Sequence, residues 1–286
     1  YRTKFIRDYD PLISVIIPNK DHIDDLKRCM DSIDRKSAYK NYEYVIVENN
    51  STDPATFEYY KKLEKENERA HVVYWDGVFN YSAINNFGAS FAKGEYLLLL
   101  NNDTELLEPD SIREMLGFCQ REEVGIAGAR LLYADDTIQH AGVVVGLGGV
   151  AAHVLCKLPR DAEGYMGRLR CVQEISAVTA ACMMVKTSVF KAVGGFDEEL
   201  KVAFNDIDLC MKVRKYGVKI VFTPYAELYH YESKSRGMED TPEKQLRFSR
   251  EVNCFRRKWE RELLKGDPYY NPNLTLKSQD FSLKRI

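Results

Sequence analysis

Gly94-Glu95-Tyr96-Leu97-Leu98-Leu99-Leu100-Asn101-Asn102-Asp103 is the stretch on which the fold of this chain turns. The apolar run is too short for a helix and is bounded by a glycine and by amides, so it reads as a buried strand. Such a strand delivers Asp103 to the carboxyl end of a sheet, where open α/β folds bind ligands. A lone carboxylate beside two amide side chains suits a divalent ion that keeps several waters and is completed by substrate phosphates. The same residues also suit a polar turn after a core strand, and the tripeptide alone leaves both open.

Outward from this strand, β-type and helical patterns alternate. Ile13 to Ile17 is a β-branched run stopped by Pro18, followed by a helical pattern with Ile23, Leu26, Met30 and Ile33 on one face. Tyr44 to Val47 is a second strand, and Asp53-Pro54 then starts a charged helix with Asp as N-cap and Pro in the first turn. Val72 to Trp75 is a third strand, and Ser82, as N-cap, opens a helix that runs to Lys93. Alternation at this spacing predicts an α/β fold with a mostly parallel sheet covered on both faces. Beyond Asp110 the order changes. Val124 to Val145 is strand-rich with a turn at Asp135-Asp136, Ile175 to Val185 suggests a buried strand pair, and Asn205 to Tyr216 is an amphipathic helix. Val218 to Phe222 and Ala226 to Tyr229 read as two more strands. Pro242 to Leu264 reads as one long charged helix, with a polar, loosely held tail from Asp267.

Composition narrows the class. The chain has 286 residues with 45% apolar and 29% charged content, as expected of a globular protein. A formal net charge of -2 gives no reason to expect nucleic acid. Seven cysteines without a CxxC pair suggest reduced thiols and a cytoplasmic setting. No apolar run reaches the length of a membrane span, and no signal peptide is expected. Starting at Tyr1 rather than Met, the chain is expected to be a domain of a larger protein.

Several polar groups sit where strands end or helices begin. Asn19 closes the first strand and Glu48 follows Val45-Ile46-Val47, so both can reach one ligand across a shared crevice, with Glu48 accepting hydrogen bonds from a ribose or a base. Asn50 falls in the turn after Glu48, where turn chemistry explains it equally well. Asn80 and Asn85 belong to a group of amides at a helix start that suits either capping or a diphosphate-linked ligand. Asp206 and Asp208 stand at the start of another helix. The dipole favours acids there, yet two acids beside Asn205 exceed what capping requires. His230 ends a strand and can ligate a divalent ion, although a lone His is more often structural. Lys234 and Arg236 in Ser233-Lys234-Ser235-Arg236-Gly237 suit a basic loop closing over phosphates. Gly146-Leu147-Gly148-Gly149 lacks the strand-to-helix setting and the spaced acid of a dinucleotide fingerprint and is set aside.

In order along the chain, Ile16-Ile17-Pro18-Asn19, Val47-Glu48-Asn49-Asn50-Ser51-Thr52-Asp53, Asn85-Asn86-Phe87-Gly88, Leu100-Asn101-Asn102-Asp103, Val193-Gly194-Gly195-Phe196-Asp197-Glu198 and Asn205-Asp206-Ile207-Asp208-Leu209-Cys210 resemble the motifs of family 2 glycosyltransferases, which have the GT-A fold. The resemblance covers roughly Pro11 to Gly237. It implies a GT-A domain over residues 1–240, with 241–286 as a C-terminal helical extension and tail. It implies nucleotide contacts at Pro18, Asn19 and Glu48, a divalent Mn²⁺ or Mg²⁺ ion on Asp103, and Asp206 as catalytic base. Asn101 and Asn102 belong to the matching DXD-type motif and are expected at the nucleotide-sugar, with Asn50, Asn80, Asn85, Lys234 and Arg236. Two positions depart from the family pattern. Asn101 stands where many members carry Asp, so metal binding is expected to be weaker or to lean on His230, and Asn205 replaces the usual Glu. The Gln-x-x-Arg-Trp signature of processive synthases is missing, so one sugar per encounter is expected.

The implied activity is inverting transfer of a hexose from a nucleotide-diphosphate sugar, UDP-glucose or a similar UDP-hexose. The acceptor is a hydroxyl of a bacterial surface glycan or glycoprotein, and the location is the cytoplasm at the inner membrane surface. A dTDP-rhamnose-dependent transferase and a non-catalytic glycan- or nucleotide-binding domain are the alternatives. A nucleotidyltransferase is disfavoured because Pro18-Asn19-Lys20-Asp21 is not a glycine-rich basic loop.

Overall fold

The β-branched run after Pro11 forms β1 (Ile13–Asn19), and the amphipathic segment after it forms α1 (Ile23–Lys36) with Leu26, Met30 and Ile33 buried. β2 (Tyr42–Glu48), α2 (Pro54–Glu66), β3 (Ala70–Tyr74), α3 (Tyr81–Phe91) and β4 (Tyr96–Leu100) continue the alternation. Asp53 caps α2 through its side chain, accepting from the Ala55 N–H at 2.9 Å. These coordinates are a computed structural model that describes residues 2, 4, 5, 9–231 and 241–285.

The second half is built differently. β5 (Thr104–Leu106), α4 (Ser111–Cys119), β6 (Val124–Leu132), β7 (Ile138–His140), β8 (Val143–Val145), β9 (Ala151–His153), β10 (Gln173–Glu174) and β11 (Cys182–Lys186) come next. α5 (Thr187–Ala192), α6 (Asn205–Tyr216), β12 (Lys219–His230), α7 (Pro242–Lys258) and α8 (Glu260–Lys265) follow. The main sheet runs β10-β12-β6-β11-β4-β1-β2-β3, with β5 added on β12 and β7 on β6. β1 lies parallel to β2 and β4, and β2 parallel to β3, whereas β11 enters antiparallel between β4 and β6. β8 and β9 form a separate hairpin. Alternate residues of β4 feed opposite cores: Leu97 and Leu99 pack into one and Leu98 and Leu100 into the other. A strand buried on both faces holds no polar side chain along its length, so the site chemistry collects at its carboxyl end.

Four local expectations are corrected. Asn80, not Ser82, caps α3, because its side chain accepts from the Ala83 N–H at 3.2 Å while Ser82 donates to the Leu200 carbonyl. The two strands expected around residues 218–229 are one strand, β12. Its register shifts between Thr223 and Glu227, where Pro224 has no N–H to give the ladder. The strand pair expected over 175–185 reduces to β11. The long C-terminal helix breaks at Trp259, whose backbone leaves helical geometry as its buried indole donates to Asp208.

The tail is also not loosely held. Asp267 accepts the Val145 N–H at 2.8 Å, and the Leu276 and Gln279 carbonyls accept from Gly148 and Leu155 at 2.9 and 3.0 Å. Phe281 is buried, stacked on Tyr165 and packed against Tyr270. Tyr270, Leu274 and Phe281 thus belong to the same core cluster as the β8–β9 hairpin. Phe281→Ala should therefore cost about 3 kcal/mol of stability, as for other buried aromatic truncations. Urea denaturation measures this, and an unchanged midpoint would mean that the tail contributes nothing to the core.

Candidate active site

The site forms at the junction of β4 with its two neighbours. Asn101 continues the β4–β11 ladder by donating its N–H to the Ala181 carbonyl at 3.1 Å. Asn102 Nδ2 donates to Asn19 Oδ1 at 2.7 Å and ties the end of β4 to the end of β1. Asn19 in turn donates to Tyr60 Oη at 2.7 Å, and Tyr60 donates to Glu48 at 2.8 Å. The chain turns at Asp103 into β5, which pairs antiparallel with β12 and sets His230 opposite Thr104. That ladder brings two residues far apart in sequence together: His230 Nε2 lies 3.3 Å from Asp103 Oδ1. The His230 ring also contacts Asn101 Nδ2 through Nε2 at 3.1 Å and Gln139 Oε1 through Nδ1 at 2.7 Å.

The facing wall is the start of α6. Phe204 turns with φ 62°, its ring packed against Phe248 and Phe255 of α7. Glu251 of α7 accepts the N–H groups of Val202 and Ala203 at 3.1 and 2.9 Å, which pins the loop ahead of α6. Burial pushes the Glu251 carboxyl above the usual range, with those backbone donors and Arg247 acting against the rise. Asp206 then accepts from the Ala180 N–H at 3.3 Å and opens onto a cleft of about 710 Å³. Pro18, Asn19, Asn101, Asn102, Asp103 and His230 line the same cleft, whose size is that of a small-molecule site.

Asp208 faces the other way. It is fully buried, accepts from Trp259 Nε1 at 2.8 Å and pairs with Lys258 Nζ at 2.8 Å and Lys212 Nζ at 3.7 Å. The two acids of the Asn-Asp-Ile-Asp motif therefore separate into one cleft residue and one that anchors α7.

Other expected site residues do not line the cleft. Glu48 is 2% exposed and its carboxylate is taken up by Ser51 and Tyr60, so that it braces Asn19 through Tyr60. Asn50 is exposed and donates to the Gly77 carbonyl at 2.8 Å. Asn80 is spent on the helix cap and on the Glu198 carbonyl, and Asn85 is fully buried, donating back to the Tyr81 carbonyl. The amides at this helix start thus serve the helix and its packing against the loop before α6. Lys234 and Arg236 lie outside the described residues.

The cleft also contains groups not singled out from sequence. Tyr81 Oη lies 3.2 Å from Asn101 Oδ1 and 3.1 Å from the Ala180 carbonyl. Gln139, His153, Cys156 and Thr179 form the wall beyond His230. A polar Gln139-His140 pair inside a short strand is the signal that could have been read, because both are buried. Burial, then the nearby His153 and His230, hold the His140 imidazole well below its ordinary pKa.

The donor set fits a divalent cation. Neighbouring donors on an octahedral ion at about 2.1 Å lie about 3 Å apart, close to the 3.3 Å between His230 Nε2 and Asp103 Oδ1. Among the described residues no cluster of three or more acidic, His or Cys ligands occurs. With Asp103 and His230 as the ligands from the described residues, the remaining positions would be open to phosphate oxygens and water, the pattern of ions that bind with a nucleotide.

Comparison with known proteins bears on the family and the fold. The family model "Glycosyl transferase family 2" matches residues 14–194. An uncharacterised protein of Sinorhizobium fredii is 48% identical over 99% of this chain and 31% of its own length. The O-antigen biosynthesis protein RfbC of Myxococcus xanthus is 38% identical over 100% of this chain and 22% of its own. The chain thus spans less than a third of the length of either relative. A mannosyltransferase from Pyrobaculum calidifontis, solved with GDP-mannose and Mn²⁺, superposes with a TM-score of 0.63 at 16% identity, over 89% of this chain and 65% of that one. The mixed sheet and the family match have one reading: the chain is a glycosyltransferase domain with the GT-A fold and belongs to glycosyl transferase family 2.

Proposed function

We propose that this domain transfers one hexose, with inversion, from a nucleotide-diphosphate sugar to a hydroxyl of a bacterial surface glycan or glycoprotein. The observation that carries the reading is the division of labour in one cleft: Asp206 on one wall, Asp103 and His230 on the other. Asp206 accepts the proton of the attacking acceptor hydroxyl, and its backbone partner Ala180 holds the carboxylate in place. Inversion follows from attack on the face opposite the leaving diphosphate. Asn19 and Asn102 hold the nucleotide side, braced by Glu48 through Tyr60. A divalent ion bound at Asp103 and His230 would supply charge neutralisation for the departing diphosphate. Lys234 and Arg236 are proposed to add positive charge to the same group. UDP-glucose or a similar UDP-hexose is the first donor to test, and dTDP-rhamnose the second. The relative named for O-antigen biosynthesis supports a surface-glycan acceptor. The longer relatives support a domain within a multi-domain transferase; a place at the cytoplasmic face of the inner membrane is part of the proposal, and no described helix is long and apolar enough to cross a membrane.

Slow hydrolysis of a labelled donor without acceptor tests catalysis itself. A panel of UDP-, GDP- and dTDP-sugars that all bind unhydrolysed would convert the reading to a binding domain. The base assignment is tested by Asp206→Asn, which should cut transfer by at least about 10²-fold, the lower range of general-base contributions, while nucleotide binding changes little. Asp208→Asn should mainly lower the melting temperature, because it removes a buried negative charge and leaves Lys258 and Lys212 without their partner. The reverse pattern, with Asp206→Asn active and Asp208→Asn folded but inert, would move the base. For the metal, calorimetry with UDP and Mn²⁺ should show binding abolished in Asp103→Ala and weakened less in His230→Ala. Metal-dependent affinity that is unchanged in Asp103→Ala would remove it as a ligand.

A further inference from the structure

We propose that Gln139 is a positioning residue of this site: its carboxamide locks His230 in the Nδ1–H tautomer, so that the Nε2 lone pair is held toward Asp103. The inference rests on the reading of Asp103 and His230 as the metal-binding pair, and it adds to that reading a residue from a different strand.

The argument starts from a group that can only accept. Gln139 Nε2 lies 3.3 Å from the main-chain carbonyl oxygen of His230. A carbonyl has no proton to give, so the amide nitrogen must face it and Oε1 must face the other way. Oε1 then lies 2.7 Å from His230 Nδ1. An amide oxygen is likewise only an acceptor, so Nδ1 must carry the proton. In the neutral ring this leaves Nε2 unprotonated. Asn101, whose Oδ1 is engaged by Tyr81, donates from Nδ2 toward that lone pair at 3.1 Å. Asp103 Oδ1, 3.3 Å from Nε2, is itself only an acceptor, so the two atoms do not pair directly and instead stand as neighbouring donors toward a cation. One side chain thus reads the backbone of its partner and sets which nitrogen of that partner is free to ligate. A His ligand is usually oriented in this way by an acceptor on its second nitrogen, and loss of that acceptor typically costs 10- to 100-fold in metal affinity.

Burial makes the lock effective. Gln139 is 4% exposed, on the short strand β7, which is hydrogen-bonded to β6 next to β12, the strand that carries His230. Water therefore competes poorly for either end of the amide. Sequence distance hides the relation, since Gln139 and His230 are joined only through the β7–β6–β12 order of the sheet.

The test pairs ¹⁵N NMR of the histidine side chains, at a pH where the rings are neutral, with Mn²⁺ titration in the presence of UDP. His230 is assigned by its loss in His230→Ala. Wild type should show His230 with the proton on Nδ1, and Gln139→Glu, which keeps an acceptor for Nδ1 although it cannot donate to the His230 carbonyl, should keep that tautomer. Gln139→Met, close in shape but without an acceptor, should shift the ring toward the Nε2–H form and weaken Mn²⁺ binding by about 10- to 100-fold. An Nε2–H signal for His230 in the wild type overturns the inference outright. So does unchanged Mn²⁺ affinity in Gln139→Met alongside weakened affinity in His230→Ala, an outcome that leaves the metal pair standing. If His230→Ala itself binds Mn²⁺ as wild type does, the metal reading of His230 has failed and takes the inference with it.

Discussion

The position of β4 between a parallel and an antiparallel neighbour is the constraint on which the site depends. Its leucines are divided between two cores, so the strand cannot shift by one residue without exchanging its faces. With β1 on one side and β11 on the other, the register fixes where the ladder stops and where Asn101, Asn102 and Asp103 begin. Asn102 then bridges to Asn19, and Asp103 turns the chain into β5. The contacts of Asn101, Asn102 and Asp103 follow from that strand end.

The opposite wall is organised from outside the sheet. α7 pins the loop ahead of α6 with Glu251 and pairs Lys258, together with Trp259 at its end, with Asp208. Phe204, packed on Phe248 and Phe255, is held at positive φ between these two attachments. Residues beyond the family-model match therefore shape the segment that carries Asp206. Asp208 serves stability at this junction, and its burial leaves Asp206 as the acid that opens onto the cleft.

The tail extends the same logic to the distal wall. His153 and Cys156 reach the cleft from the β8–β9 hairpin and the turn after it. That segment is glycine-rich and forms few sheet bonds of its own, so it relies on Asp267, Leu276 and Gln279 for backbone partners. The tail shows no helical or strand period, because its apolar residues fill gaps between loops instead of one face of a regular element.

By itself the sequence determined the alternation of β1 to β4 with α1 to α3, the cap at Asp53, the helix from Asn205 and the strand end at Asp103. These depend on local periodicity and on residues whose conformational preferences are intrinsic. It also placed Asp103, Asp206 and His230 among the chemically competent residues, since carboxylates and an imidazole at element ends stand out in any linear reading. Tertiary structure alone decided which of them meet. The β5–β12 ladder brings His230 to Asp103, burial against α7 separates Asp208 from Asp206, and the β7–β6–β12 order delivers Gln139 to His230. Glu48, Asn80 and Asn85 do not line the cleft: a hydroxyl engages Glu48, an N–H engages Asn80, and the Tyr81 carbonyl engages the Asn85 amide nitrogen. The physical reason is common to all of these. A side chain's chemistry is local, but its partners are set by strand order and packing, which join residues that no spacing in the sequence connects.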